Sequence, residues 1–169
     1  LGGSRQGPPV VRAYANVPSI LDNLAGYVAP GAETTFEASC YTDPLALEHL
    51  TGALDAAIRW FGARPRGDGA RLRWTTKFAS PETVAPLLAL PHAGRTRARV
   101  SVNAEAVARR VEGGTMSVEE RLQGAAALAR AGYPVGLVLA PIMRLDDWEA
   151  AYGALLDRAA AALVPALAE

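Results

Sequence analysis

The 169-residue chain has one cysteine and two histidines, and only 7% of its residues are aromatic. A single cysteine excludes an internal disulfide and fits a reducing compartment, so a cytoplasmic location is expected. No apolar run approaches a membrane span, and the amino terminus lacks the charged-then-apolar pattern of a signal segment. Net charge is zero, which removes any global electrostatic argument for a polyanionic partner. There is no internal repeat, and the alanine-rich tail is the only biased segment.

Half of the residues are apolar, ample for the core of one domain. The charges are unevenly placed: residues 59–110 hold eleven Arg and Lys against three acids, and the remainder holds six against fourteen. That asymmetry suits a surface facing a polyanion. Residues 1–9 are rich in Gly and Pro and begin without Met, so they are expected to be a loop continuing from an upstream segment. Residues 10–169 are expected to form the domain.

Strand patterns and helix patterns alternate along that domain. The expected strands are Val10–Asn16, Thr34–Cys40, Arg71–Lys77, Thr96–Asn103 and the apolar run Pro134–Pro141. The apolar run reads as a strand buried on both faces. Between them lie a helical segment from Pro18, a long helix from Pro44 to Phe61 with Asp43 as its cap, and a short helix from Pro81 to Leu88. Ala104–Val111 and Val118–Ala131 follow, the latter opened by a Ser117/Glu120 capping box, and Asp146 caps the last helix. Five βα units in strict alternation predict an α/β fold with a parallel sheet and outer helices. Five are too few for a closed eight-fold barrel.

Side-chain parity adds a chemical clue. Arg12, Tyr14 and Asn16 share one face of the first expected strand; Arg71, Arg73, Thr75 and Lys77 share one face of the third; Arg97, Arg99, Ser101 and Asn103 share one face of the fourth. The opposite parities carry Leu72, Trp74, Val100 and Val102, which suit packing under helices. The polar parity is expected to face either inward, toward a hydrated cavity for a polar or anionic ligand, or, in an open sheet, toward water or another segment. Asn16, Cys40 with Thr42, Lys77, Ser101 with Asn103, and Ala140–Pro141 all fall at carboxyl ends of strands, the rim where βα folds build their sites. Lys77 offers a cation, Ser101 and Asn103 offer hydrogen bonds to a bound cofactor, and Cys40 offers the chain's one thiol. No His or acid adjoins Cys40 in sequence; His49 and His92 are the candidates to approach it as a base in the fold.

Phe36-Glu37-Ala38-Ser39-Cys40 with His49-Leu50-Thr51, Arg71-Leu72-Arg73 with Thr76-Lys77, and His92 to Arg99 resemble the spore photoproduct lyase family of radical S-adenosylmethionine enzymes. So do Ser101-Val102-Asn103, Glu112 to Thr115, and Ala131-Gly132-Tyr133 through Ala140-Pro141-Ile142. The likeness runs in order from Val10 to about Leu156.

The resemblance implies a partial (βα)6 barrel, five of whose strands lie in this chain. It implies a carbon–carbon lyase in which a 4Fe–4S cluster reduces S-adenosylmethionine to a deoxyadenosyl radical, with an external electron donor and with DNA carrying a thymine-dimer photoproduct as substrate. By the same match Cys40 returns a hydrogen atom to the thymine radical, and Thr42, Lys77, Ser101 and the backbone at Ala140 hold S-adenosylmethionine. Lys77 suits the cofactor's carboxylate by charge. The cluster needs a Cys-x3-Cys-x2-Cys loop, and the single cysteine here means that its ligands are expected upstream and that no residue of this chain is expected to bind the metal. Thr42 stands where the family often has Ser, and Ala93 and Arg95 replace its usual Asn and Lys. Two other readings remain: a cluster-less relative that binds nucleic acid through the basic middle segment, and a βα enzyme using Cys40 as a nucleophile on a phosphorylated metabolite.

Overall fold

The computed structural model describes residues 13–38 and 42–168. Four strands form one parallel sheet in sequential order: β1 (Thr34–Ala38), β2 (Ala70–Thr76), β3 (Thr96–Ser101) and β4 (Val135–Val138). Parallel neighbours need a crossover, and helices supply it. After β1 come α2 (Glu48–Thr51) and α3 (Ala53–Gly62), after β2 comes α4 (Pro81–Val84), and after β3 come α5 (Glu105–Val111) and α6 (Val118–Arg130). Helix α1 (Val17–Leu24) precedes the sheet, and α7 (Trp148–Ala168) follows β4.

The period-two pattern of β2 is realised along its whole length. Ala70, Leu72, Trp74 and Thr76 are buried, while Arg71, Arg73 and Thr75 are half-buried on the other face. In β3, Ala98 and Val100 are buried between Arg97 and Arg99. The apolar face packs with Ile58 and Phe61 of α3 and Leu122 and Leu128 of α6 in one continuous core. Each fully buried aliphatic or aromatic side chain of this kind contributes about 1.5–3 kcal/mol. Helix α6 lies close to the loop after β2 because Gly124 faces the backbone of Ala79 and Ser80; a Cβ there would sit 2.9 Å from the Ala79 carbonyl carbon. The predicted capping box is present, with Ser117 Oγ accepting from the Glu120 N–H and Glu120 accepting from the Ser117 N–H.

Four expectations change. Of the strand expected over Val10–Asn16, residues 10–12, including Arg12, lie outside the described residues; Ala13–Asn16 is exposed and not a strand, and Asn16 is the cap residue of α1. The helix expected from Pro44 to Phe61 starts late and is broken. Residues 44–47 form turns, and Gly52 at φ 58° separates α2 from α3, a conformation that glycine adopts without strain. β4 is half-buried at the described edge of the sheet rather than buried on both faces. Finally, α7 is long and apolar enough to cross a membrane by length and composition, because its alanines raise its mean hydropathy. It packs along α6 through Ala159 and Ala166 among others.

Candidate active site

The predicted polar face exists, and its charges pair with one another across strands. Glu37 of β1 accepts from Arg73 of β2 and, at 2.8 Å, from Arg99 of β3, while Thr75 Oγ1 accepts from Arg99 Nε at 3.0 Å. Register explains this: Glu37 lies beside Arg73, and Thr75 beside Arg99. Two arginines on a half-buried sheet face thereby share one carboxylate, which leaves the trio with a single positive charge.

At the carboxyl rim, β1 ends at Ala38, two residues before Cys40, which lies outside the described residues. Thr42 is exposed. Asp43, expected as a helix cap, instead ties this loop to the end of β2. Its Oδ1 accepts from Thr76 Oγ1 at 2.7 Å and from the Leu45 N–H at 3.0 Å, and its Oδ2 accepts from the Lys77 N–H at 2.6 Å. Burial pushes the Asp43 carboxyl above its ordinary value, and these hydrogen bonds only partly oppose that.

Lys77, the only lysine in the chain, ion-pairs with Glu112 at the end of α5. The other oxygen of Glu112 accepts from Arg121 Nη1 at 2.6 Å. Desolvation by itself would raise the Glu112 carboxyl, but hydrogen bonds and charge from Lys77 and Arg121 outweigh it and hold the group below its ordinary range. The Arg121 side chain is 1% exposed. It donates from Nε to the Met116 carbonyl at 2.7 Å, from Nη1 also to the Ser101 carbonyl at 3.1 Å, and from Nη2 to Thr115 Oγ1 at 2.6 Å. The Met116 N–H in turn donates to the Lys77 carbonyl at 3.2 Å. One buried guanidinium thus joins the ends of β2 and β3.

Ser101 is buried at the end of β3, and its hydroxyl has no hydrogen-bond partner among the described residues. Asn103 is placed differently from the expectation. It is buried, its Oδ1 accepts from the Ala104 N–H at 3.0 Å and from Tyr152 Oη at 2.7 Å, and its Nδ2 donates to the Pro141 carbonyl at 3.1 Å. Its amide therefore braces the loop carrying Ala140 and leaves one N–H for anything else. Tyr152 completes the brace by accepting from the Met143 N–H at 2.8 Å. Ala140 itself is exposed and precedes a cis Pro141.

The structure therefore brings Lys77, Ser101 and the Ala140 loop to one rim, with Thr42 on the loop that Asp43 anchors there. Sequence reasoning missed Asp43, Glu112 and Arg121 as parts of this rim. Arg121 sits in the charged run Glu119-Glu120-Arg121, which reads as a solvated helix face. The two histidines proposed as bases for the thiol lie apart from each other, and Cys40 itself is outside the described residues. His92 precedes β3, at the opposite end of the sheet, where it stacks on Tyr133 at 3.9 Å and accepts from the Gly94 N–H at Nδ1. His49 is exposed on α2. Among the described residues no group of three His, Cys, Asp or Glu side chains could hold a metal ion.

The model of a protein family described as spore photoproduct lyase matches residues 3–169. The chain belongs to the spore photoproduct lyase family. It is 41% identical over 157 residues to the spore photoproduct lyase of Bacillus subtilis (strain 168), covering 92% of this chain and 44% of that protein. It is 31% identical over 153 residues to the enzyme of that name from Clostridium acetobutylicum, covering 89% of this chain and 44% of that one. The chain thus spans less than half the length of these curated relatives. Among solved structures, spore photoproduct lyase complexed with dinucleoside spore photoproduct superposes with a TM-score of 0.84 at 38% identity, over 91% of this chain and 44% of that one. A double mutant of the same lyase, with bound AdoMet and dinucleoside spore photoproduct, matches equally well.

Proposed function

We propose that this chain is the segment of a radical S-adenosylmethionine carbon–carbon lyase that holds the cofactor and presents a hydrogen donor, repairing a pyrimidine photoproduct in DNA. The observation that carries the reading is the placement of Lys77 and Ser101 together on the carboxyl rim of a sheet belonging to this family. The residues fit S-adenosylmethionine: a partly exposed ammonium suits its carboxylate, the Ser101 hydroxyl suits a polar edge, and the exposed Ala140 lies on a braced loop. Bound there, the cofactor supplies the radical that starts the reaction. Cys40 is then the thiol that returns a hydrogen atom to the substrate, while Asp43 keeps its loop beside Lys77. The 4Fe–4S cluster does not fit this chain, since one cysteine cannot supply three thiolates. Its ligands and the external electron donor belong to other parts of the system, and the setting we infer is the cytoplasm.

The test is anaerobic reconstitution of a full-length lyase carrying this segment, with product analysis on irradiated DNA. Cys40→Ala should leave S-adenosylmethionine cleavage intact and divert the substrate radical to side products. Clean repair by that variant removes Cys40 from the reaction. Lys77→Ala should raise the cofactor's Kd about tenfold or more, the scale of a lost charge-assisted contact; an unchanged Kd rejects that assignment.

A further inference from the structure

We propose that Glu112, held by the buried Arg121, is the positioning residue that aims the Lys77 ammonium and sets its spacing from Ser101. The inference rests on the reading of Lys77 and Ser101 as cofactor contacts. Three observations lead to it. Glu112 is 6% exposed in its side chain and gives one oxygen to each cation, so it cannot swing out to solvent without leaving both unpaired. Arg121 has each of its three nitrogens engaged, so its charge is not available to a ligand. Lys77 is 27% exposed in its side chain and is therefore the member of the trio that can meet an incoming anion. The three groups sum to a single positive charge, which matches one carboxylate.

The same network fixes geometry as well as charge. Arg121 bonds the Ser101 carbonyl at the end of β3, and its partner Met116 bonds the Lys77 carbonyl at the end of β2. A lysine stem has four rotatable carbons and loses considerable entropy when ordered. The Glu112 carboxylate orders it before a ligand arrives, which lowers the cost of binding.

Because Lys77 is the chain's only lysine, ¹³C-methylated ε-amine gives one NMR signal from the site. In Glu112→Gln that signal should move toward the position of methylated free lysine and sharpen. In the full-length lyase the S-adenosylmethionine Kd should rise about tenfold, as expected for loss of an orienting partner. Glu112→Asp, which keeps the charge on a shorter stem, should fall between wild type and Gln in both measurements, and it serves as the test should the Gln variant not fold. A lysine signal unchanged in either folded variant overturns the positioning role. So does cofactor binding that stays equal or tightens, because Glu112 is then a competing counter-ion. A moved signal with no measurable cofactor binding even in wild type leaves the Glu112–Lys77 coupling standing and rejects the cofactor reading instead.

Discussion

At the carboxyl ends of the strands, Lys77 and Arg121 share one buried carboxylate. At the amino ends, by contrast, Arg71, Arg73, Arg95 and Arg97 line a cavity of about 160 Å³ together with Glu33. Arg95 there donates to backbone carbonyls of Pro65 and Asp68, Arg71 meets the exposed Glu33 at 3.5 Å, and Arg97 is exposed with no ion pair among the described residues. Positive charge is thus plentiful and wet at one end, scarce at the other, where only Lys77 of that pair reaches solvent and Arg121 is buried. Water screens the first arrangement, whereas the second needs every partner in place. A site that must orient one carboxylate gains from the second.

The comparison can be broken by unequal mutational costs. Arg121→Leu leaves Glu112 with half its compensation and strips hydrogen bonds from three other acceptors, so urea unfolding should report a loss of about 3–5 kcal/mol. A loss below 1 kcal/mol would place this guanidinium among ordinary surface cations. Of intermediate size is a pH effect whose sign differs between two carboxylates of the same rim. Asp43 sits above its ordinary 3.8, so the folded state holds its proton more tightly than the unfolded chain does. Its contribution is complete below pH 3.8 and declines as pH rises through the folded value. Glu112 sits below its ordinary 4.5; its contribution is complete above that pH and declines as pH falls through the folded value. Unfolding measured from pH 3 to 7 should therefore show wild type losing ground to Asp43→Asn, and gaining it over Glu112→Gln, as pH rises. Parallel curves for both variants would contradict the assignment. The smallest effect belongs to the wet end: Arg97→Ala should shift stability by no more than about 0.5 kcal/mol.

What could be read beforehand follows the same division. Alternation in Arg71-Leu72-Arg73-Trp74-Thr75 announced which face of β2 is polar, because strand parity is local and needs no knowledge of neighbours. The Ser117/Glu120 capping box was legible for the same reason. The position of Lys77 and Ser101 at the strand ends was legible because those ends are visible from their flanking helix signals. Arg121 was not, since its burial depends on Glu112, Thr115 and Met116 folding back over α6, a tertiary event. Asn103 has residue chemistry suited to binding a ligand; the competing claims of Tyr152 and Pro141 arise from segments 49 and 38 residues away, respectively. The break at Gly52 was hidden because the apolar stripe of residues 45–61 continues through it. Cys40, between Ala38 and Asp43 in the sequence, lies outside the described residues.

Gly124 and Arg121 occupy the same turn of α6, one flush against the backbone at Ala79, the other reaching through Glu112 to the ammonium of Lys77. The helix therefore acts as a spacer whose height above the sheet is transmitted to the cation. Any side chain larger than hydrogen at position 124 would lift that spacer, and the disturbance would emerge at the rim, on the far side of a residue that never meets a ligand.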